Sequence, residues 1–141
     1  MVALALDIGE ARIGIAASDR TGTLASPVAV LPAAEVTSLA RTFRRVVEDY
    51  EPDVIVCGLP RTLAGEDGAQ AERVRRIGED VARALGLPLE FVDERLSSAE
   101  AKRILREEGL SERSMRGKVD MVAASLFLQT WLDSKKEGAL R

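Results

Sequence analysis

Ala5-Leu6-Asp7-Ile8-Gly9-Glu10-Ala11-Arg12-Ile13-Gly14-Ile15-Ala16-Ala17-Ser18-Asp19 decides how the rest of the chain is read. An apolar run beginning at Val2 ends on one carboxylate, turns at Gly9 and returns as an alternating strand from Ile13 to Ser18. With Val2–Ile8 as a strand, period two puts Ala3, Ala5 and Asp7 on one face and Leu4, Leu6 and Ile8 on the other. Asp7 then ends a face of small side chains, which another element can approach closely. A carboxylate closing an apolar strand costs free energy unless a metal ion or a cationic side chain pairs with it. The plain alternative is a turn aspartate, because Asp beside Gly is ordinary hairpin chemistry.

Working outward, Val2–Ile8 and Ala11–Ser18 form a hairpin, and a second turn at Asp19-Arg20-Thr21-Gly22 leads to a strand around Pro27–Leu31. Short turns between consecutive strands imply antiparallel neighbours. Pro27 suits a strand's first residue or an exposed edge, since it cannot donate to a ladder. Leu39, Phe43, Val46, Val47 and Tyr50 recur at helical spacing and predict one helix over about 35–50, closed by Pro52. The apolar run 53–58 reads as a strand covered on both faces. Ala71, Val74, Ile77, Val81 and Leu85 mark a helix over 69–85 with Gly86 as its C-cap. Leu87–Val92 is a fifth strand. A helix follows from Ser97 to about Glu108, where Ser97 and Glu100 fit a capping box. Residues 109–117 are polar and weakly patterned, as in a mobile loop. The last helix, 119–132, is apolar on most sides and must be buried against the sheet. The order β-β-β-α-β-α-β-α-α predicts an α/β domain, a five-stranded mixed sheet with helices on both faces.

Composition narrows the chemistry. The 141 residues suit one domain spanning 1–141, with 46% apolar and 30% charged side chains. No apolar run approaches the ~20 residues of a membrane span. The N-terminus enters a strand without a basic leader region, so a cytoplasmic protein with no membrane partner is expected. The single cysteine, Cys57, lies in the apolar run 54–57 and reads as a buried small hydrophobe. The absence of histidine excludes Ser-His-Asp and Cys-His catalysis and imidazole zinc sites. Hydrolysis must then rest on carboxylates, lysines or a metal held by oxygen. Net charge is −3, yet residues 95–118 hold seven Lys/Arg against four Asp/Glu, +3, which leaves −6 elsewhere. A basic stretch beside an acidic remainder suits a small nucleic-acid footprint, and equally a solvated helix face.

Three acidic positions stand out. Asp7 ends the first strand, Asp93 and Glu94 end the fifth, and Asp120 lies in the first turn of the most apolar helix. An acid in a first helical turn is favourable by itself, by roughly 0.3–1 kcal/mol. Carboxylates gathered at one sheet edge raise one another's pKa unless a cation sits among them. Hard divalent ions such as Mg²⁺ take oxygen ligands, and a pair of them can drive phosphodiester cleavage without histidine.

Asp7-Ile8-Gly9 with Arg12-Ile13-Gly14 and Ser18-Asp19, then Gly58-Leu59-Pro60, Asp93-Glu94-Arg95-Leu96-Ser97, Val119-Asp120, Ala123-Ala124 and Leu128-Gln129 together resemble the YqgF/RuvX family. These are pre-16S rRNA nucleases, also called Holliday-junction-resolvase-like proteins. The resemblance implies a ribonuclease-H-like fold and Mg²⁺- or Mn²⁺-dependent cleavage of nucleic acid, typically in maturation of the precursor of the small-subunit rRNA. It implies Asp7, Glu94 and Asp120 as catalytic and metal-ligating residues. Asp93 belongs to the same motif; adjacent strand residues face opposite ways, which favours Glu94 as the ligand and Asp93 as its partner. Arg12, Arg95 and Lys118 match basic family positions and are expected to bind phosphates or balance the carboxylates. Asp19 is expected to close its turn. Competing readings are a dimeric resolvase of four-way DNA, a non-catalytic nucleic-acid-binding factor, and an actin-like ATP-binding fold for which the chain is too short. Homodimer surfaces could be offered by helix 69–85 or by the last helix.

Overall fold

The computed structural model describes residues 1–60, 68–94, 97–115 and 117–140. Strands β1 (Ala3–Ile8), β2 (Arg12–Ser18) and β3 (Ala25–Pro32) come first, then helices α1 (Ala33–Thr37) and α2 (Arg41–Tyr50). Strand β4 (Val54–Leu59), helix α3 (Ala69–Leu85), strand β5 (Leu89–Asp93) and helices α4 (Ser97–Glu107), α5 (Glu112–Met115) and α6 (Val119–Leu140) complete the order.

The sheet order is β3-β2-β1-β4-β5, with antiparallel β3/β2/β1 and parallel β1/β4/β5. β1 is therefore central, and the alternation expected of it is observed. Leu4, Leu6 and Ile8 face a core with Phe43 of α2 and with Ala71, Val74 and Val81 of α3. Ala3 and Ala5 face a second core with Ala124, Phe127, Leu128 and Trp131 of α6. Small side chains on β1 and Ala16 on β2 let α6 lie close to the sheet, and α4 packs on α6 from outside. On the other layer α3 approaches β4 through Gly78, where a Cβ would stand 3.0 Å from the Cys57 sulfur. Cys57 is buried, and burial pushes its thiol up to about 12, so it is an inert small hydrophobe as expected. Pro27 sits on β3, an edge strand that pairs only with β2, next to a register irregularity.

Four expectations are corrected. The helix predicted over 35–50 is two helices, because Leu39 takes φ +55° and ends α1. Its N–H donates to the Val36 carbonyl and that of Ala40 to Glu35, a left-handed C-terminal cap without a glycine. Thr37 and Ser38 are weak helix formers that favour an end there. The Thr42 hydroxyl then donates to Glu35 across the break at 2.5 Å. Tyr50, assigned to the apolar stripe, is exposed at the end of α2. The segment expected to be a mobile loop contains α5, anchored by Met115, which is only 2% exposed. The last helix also runs eight residues further than predicted, to Leu140. Among the described residues no helix is long and apolar enough to cross a membrane.

Candidate active site

The site lies where β1, β4 and β5 end, the edge at which open α/β sheets place ligands. Asp7, next to last in β1, is on the α6 face and pairs in register with Gly14 of β2. A Cβ on Gly14 would stand 2.2 Å from the carbonyl of Asp120 and 2.6 Å from the Met121 nitrogen. The absent side chain is what seats the first turn of α6 on the hairpin and brings Asp120 beside Asp7. A glycine inside a strand is the sequence sign of such an approach.

Glu94 follows β5 and keeps a backbone bond to Leu59 of 3.4 Å. A Cβ on Gly58 would meet the Glu94 carboxylate at 2.7 Å and the Phe127 ring at 2.6 Å, so this second glycine leaves the space that Glu94 fills. Asp7 and Glu94 share a side-chain hydrogen bond, which requires one proton between two carboxylates. Burial is the main cause that raises both groups, Asp7 to about 6 and Glu94 to about 9. The bond from Glu94 lowers Asp7 and raises Glu94, so Glu94 donates and Asp7 accepts. The charges of Asp120 and, for Glu94, of Asp7 and Asp93 push further upward.

The remaining predicted residues fall around this pair. Asp120 is within electrostatic reach of both acids, but its carboxylate accepts from the Arg12 guanidinium at 3.3 Å. Arg12 therefore balances Asp120, and at 56% side-chain exposure it remains open to solvent. Asp93 ends β5 exposed and acts on Glu94 through its charge, as strand alternation predicts. Lys118 is exposed just before α6, where its carbonyl accepts from Val122. Arg95 lies outside the described residues. Asp19 closes its turn as expected: its carboxylate accepts from the backbone of Thr23 and Leu24 and from the Thr21 hydroxyl, which hold its pKa below the usual range.

Several contributors carry no sequence signal of their role. Arg73 of α3 donates to the Gly9 carbonyl from both terminal nitrogens, 3.3 and 3.2 Å, and to Glu10 at 3.4 Å, which pins the turn after Asp7. Gln129 of α6 accepts from Ala25 and donates to Thr23, each at 2.9 Å, and ties α6 to the start of β3. Ser18 accepts from the Ala3 nitrogen at 2.8 Å. Gln129 and Ser18 thus serve the scaffold.

Asp7 and Glu94 fit a hard divalent cation: two partly buried carboxyls that repel once ionised, all-oxygen donors, at a sheet edge. Among the described residues no three acidic side chains come together as a metal-holding group, and Asp120 is paired with Arg12. The arrangement offers two carboxyls to a cation, with the charge of Asp120 within reach, and a proton to exchange for it.

Comparison with known proteins gives the family and the fold. The family model described as "RuvX: Holliday junction resolvase" matches residues 1–134. A relative from Anaeromyxobacter sp. (strain Fw109-5) is 43% identical over 136 residues, covering 94% of this chain and 96% of its own. One from Acaryochloris marina is 41% identical over 133 residues, covering 94% and 92%. Both carry the name "Putative pre-16S rRNA nuclease". Among solved structures, Thermus thermophilus RuvC in complex with Holliday junction substrate aligns at TM-score 0.59, with 15% identity over 97% of this chain and 96% of that one. The Fowlpox virus resolvase with Holliday junction DNA aligns at 0.57, with 14% identity over 96% and 99%. The fold is thus that of the resolvases, ribonuclease-H-like, as the resemblance implied.

Proposed function

The chain belongs to the RuvX family, and from that membership we propose that it is a metal-dependent nuclease of structured nucleic acid. Its proposed substrate is precursor 16S rRNA, trimmed toward the mature 5′ end in the cytoplasm; the names of its relatives support that assignment. The observation that carries the reading is the Asp7–Glu94 carboxyl pair at the end of the central strand. A structural protein gains nothing from two carboxyls forced to share a proton, whereas a cation site needs them.

In this reading Asp7 and Glu94 hold Mg²⁺ or Mn²⁺, with Asp120 as the third carboxylate. When bound, the cation polarises the phosphodiester and lowers the pKa of a water molecule. The chain's own residues do the rest. Glu94 holds the shared proton, which a cation held by the pair would displace, so binding would be favoured by rising pH. Arg12 holds Asp120 until a phosphate competes for the guanidinium, which frees the carboxylate for the site. Lys118 and Arg95 add positive charge for the phosphate backbone. Asp93 keeps Glu94 basic through its charge. Arg73 fixes the turn that carries Asp7.

A second reading, favoured by the description of the family, is resolution of four-way DNA by a dimer presenting two sites. Side-by-side cleavage of precursor rRNA and of a labelled four-way junction separates the two. Each is run with Mn²⁺, with EDTA and with Asp120→Asn. Metal-dependent cutting of the RNA that disappears in the variant is the expected result. Cutting of the junction alone transfers the assignment to the resolvase, and cutting of neither defeats the nuclease reading.

A further inference from the structure

Outside the carboxylate site, α2 carries a cluster of exposed arginines. Arg41, Arg44 and Arg45 are exposed, and with Glu48 and Asp49 they line a shallow cleft of about 530 Å³. Among the described residues, none of the three guanidinium groups is held in an ion pair or side-chain hydrogen bond. This differs from α4, where Arg103 is bound by Glu100 and Glu107.

The placement works against the helix. A helix favours acids in its first turn and bases in its last. α2 has no acid in the first turn and no base in the last; its arginines occupy the first half and its acids the second. Arg41 also faces Arg44 and Arg45 at spacings of three and four, where like charges cost roughly 0.2–0.5 kcal/mol per pair. Glu48 and Asp49, four positions after Arg44 and Arg45, offset part of that cost, but Arg41 has no acid at helical spacing, and the arginine end of the face is open to an anionic ligand.

Topology says which ligand. α2 runs toward the start of β4, so its arginine-bearing half lies toward the sheet end that carries the carboxylates, although on the face opposite α6, and a nucleic-acid strand passing the site reaches it by crossing that end of the sheet. The connection is short: the Ala33 nitrogen donates to Ala11 of the hairpin at 2.9 Å, and α1 spans five residues, about 8 Å. Thr42 ties the start of α2 back to α1. Neighbouring guanidiniums on such a stripe stand about 5–6 Å apart at Cβ, a pitch suited to successive phosphates, which arginine binds bidentately. We infer that the arginine face of α2 is a track for the phosphate backbone of substrate nucleic acid extending beyond the cleavage site. The inference rests on the nucleic-acid reading proposed above and adds where the substrate runs.

The test is binding of fluorescein-labelled duplex RNA with a single-stranded extension, by anisotropy in EDTA across a salt series. Arg41→Ala/Arg44→Ala/Arg45→Ala is expected to bind at least ~10-fold more weakly at low salt, whatever the sequence. It should also reduce the slope of log affinity against log salt by about two. The triple lysine variant should keep most of the slope, and Glu48→Gln/Asp49→Asn should bind more tightly. With cutting measured in Mn²⁺, the triple alanine variant should raise KM and leave kcat in place. An unchanged affinity and slope in the triple alanine variant overturns the track, even where the wild-type protein cuts RNA. Conversely, an α2-dependent salt slope in a wild-type protein that cuts nothing upholds the track and sinks the nuclease assignment.

Discussion

At the scale of the residue, Asp7 does what an apolar strand would not tolerate without reason: it places a carboxyl against Glu94 in a half-buried position. Asp7→Asn keeps the shape and removes one charge of a repelling pair. Cleavage is expected to fall by at least ~100-fold, while the melting temperature is unchanged or higher; full activity in the variant would falsify the assignment. Arg12→Ala tests the counter-charge. The pair is partly exposed, so stability should change by less than about 1 kcal/mol. Activity should nevertheless fall roughly 10- to 100-fold, as for residues that orient a ligand. A melt that drops sharply while kcat/KM is kept reverses the assignment. These roles were unequally legible in the sequence. Asp7 was readable because a charge that ends an apolar run is anomalous, and strand alternation chose Glu94 over Asp93. That Arg12 meets Asp120 was not readable, since 108 positions separate them and only the packing of α6 on Gly14 brings them together.

At the scale of the element, two glycines set the distance between α6, β5 and the central strands. Gly14→Ala would drive a methyl group into the backbone of Asp120, which cannot rotate away. It should cost roughly 1–3 kcal/mol or more, by urea unfolding, and shift α6 enough to abolish cleavage. Gly58→Ala meets side-chain atoms only, the tip of Glu94, which can turn, and the edge of the buried Phe127 ring, which can shift within the core at some cost. Its stability loss should be the smaller, with activity lost through displacement of Glu94. Equal losses in the two proteins would show that α6 is not held where the backbone contact puts it. Strand periodicity and turn residues made all five strands readable, because each is a run of uniform pattern bounded by Gly, Pro or Asp. Periodicity could not show the break between α1 and α2. Leu39 adopts a left-handed conformation that no local preference announces, and the apolar stripe continues across it. α5 was missed for the opposite reason: four residues are too short for a pattern, and one buried methionine holds them.

At the scale of the whole molecule, the sheet concentrates its titration anomaly at one edge, so that the stability of the protein should follow pH through two groups. Unfolded, Asp7 and Glu94 have the ordinary values of 3.8 and 4.5; folded, they titrate near 6 and 9. Between about pH 4 and about pH 9 the native state therefore binds more protons than the unfolded one, and stability falls as pH rises. The metal-free protein should melt several degrees lower at pH 8.5 than at pH 5.5, with the contribution fully present below about pH 4 and gone above about pH 9. Asp7→Asn should flatten that dependence, because the remaining acid loses its charged neighbour. If the pair is the proposed cation site, Mn²⁺ should raise the melting temperature more at pH 8.5 than at pH 5.5 and release protons into a weakly buffered solution as it binds. Calorimetric scans in EDTA and in Mn²⁺ at the two pH values measure all three effects. A melting temperature that rises with pH in EDTA would mean that the two carboxyls are not held together in the native protein. A shift with Mn²⁺ that is the same at both pH values would mean that the cation binds elsewhere.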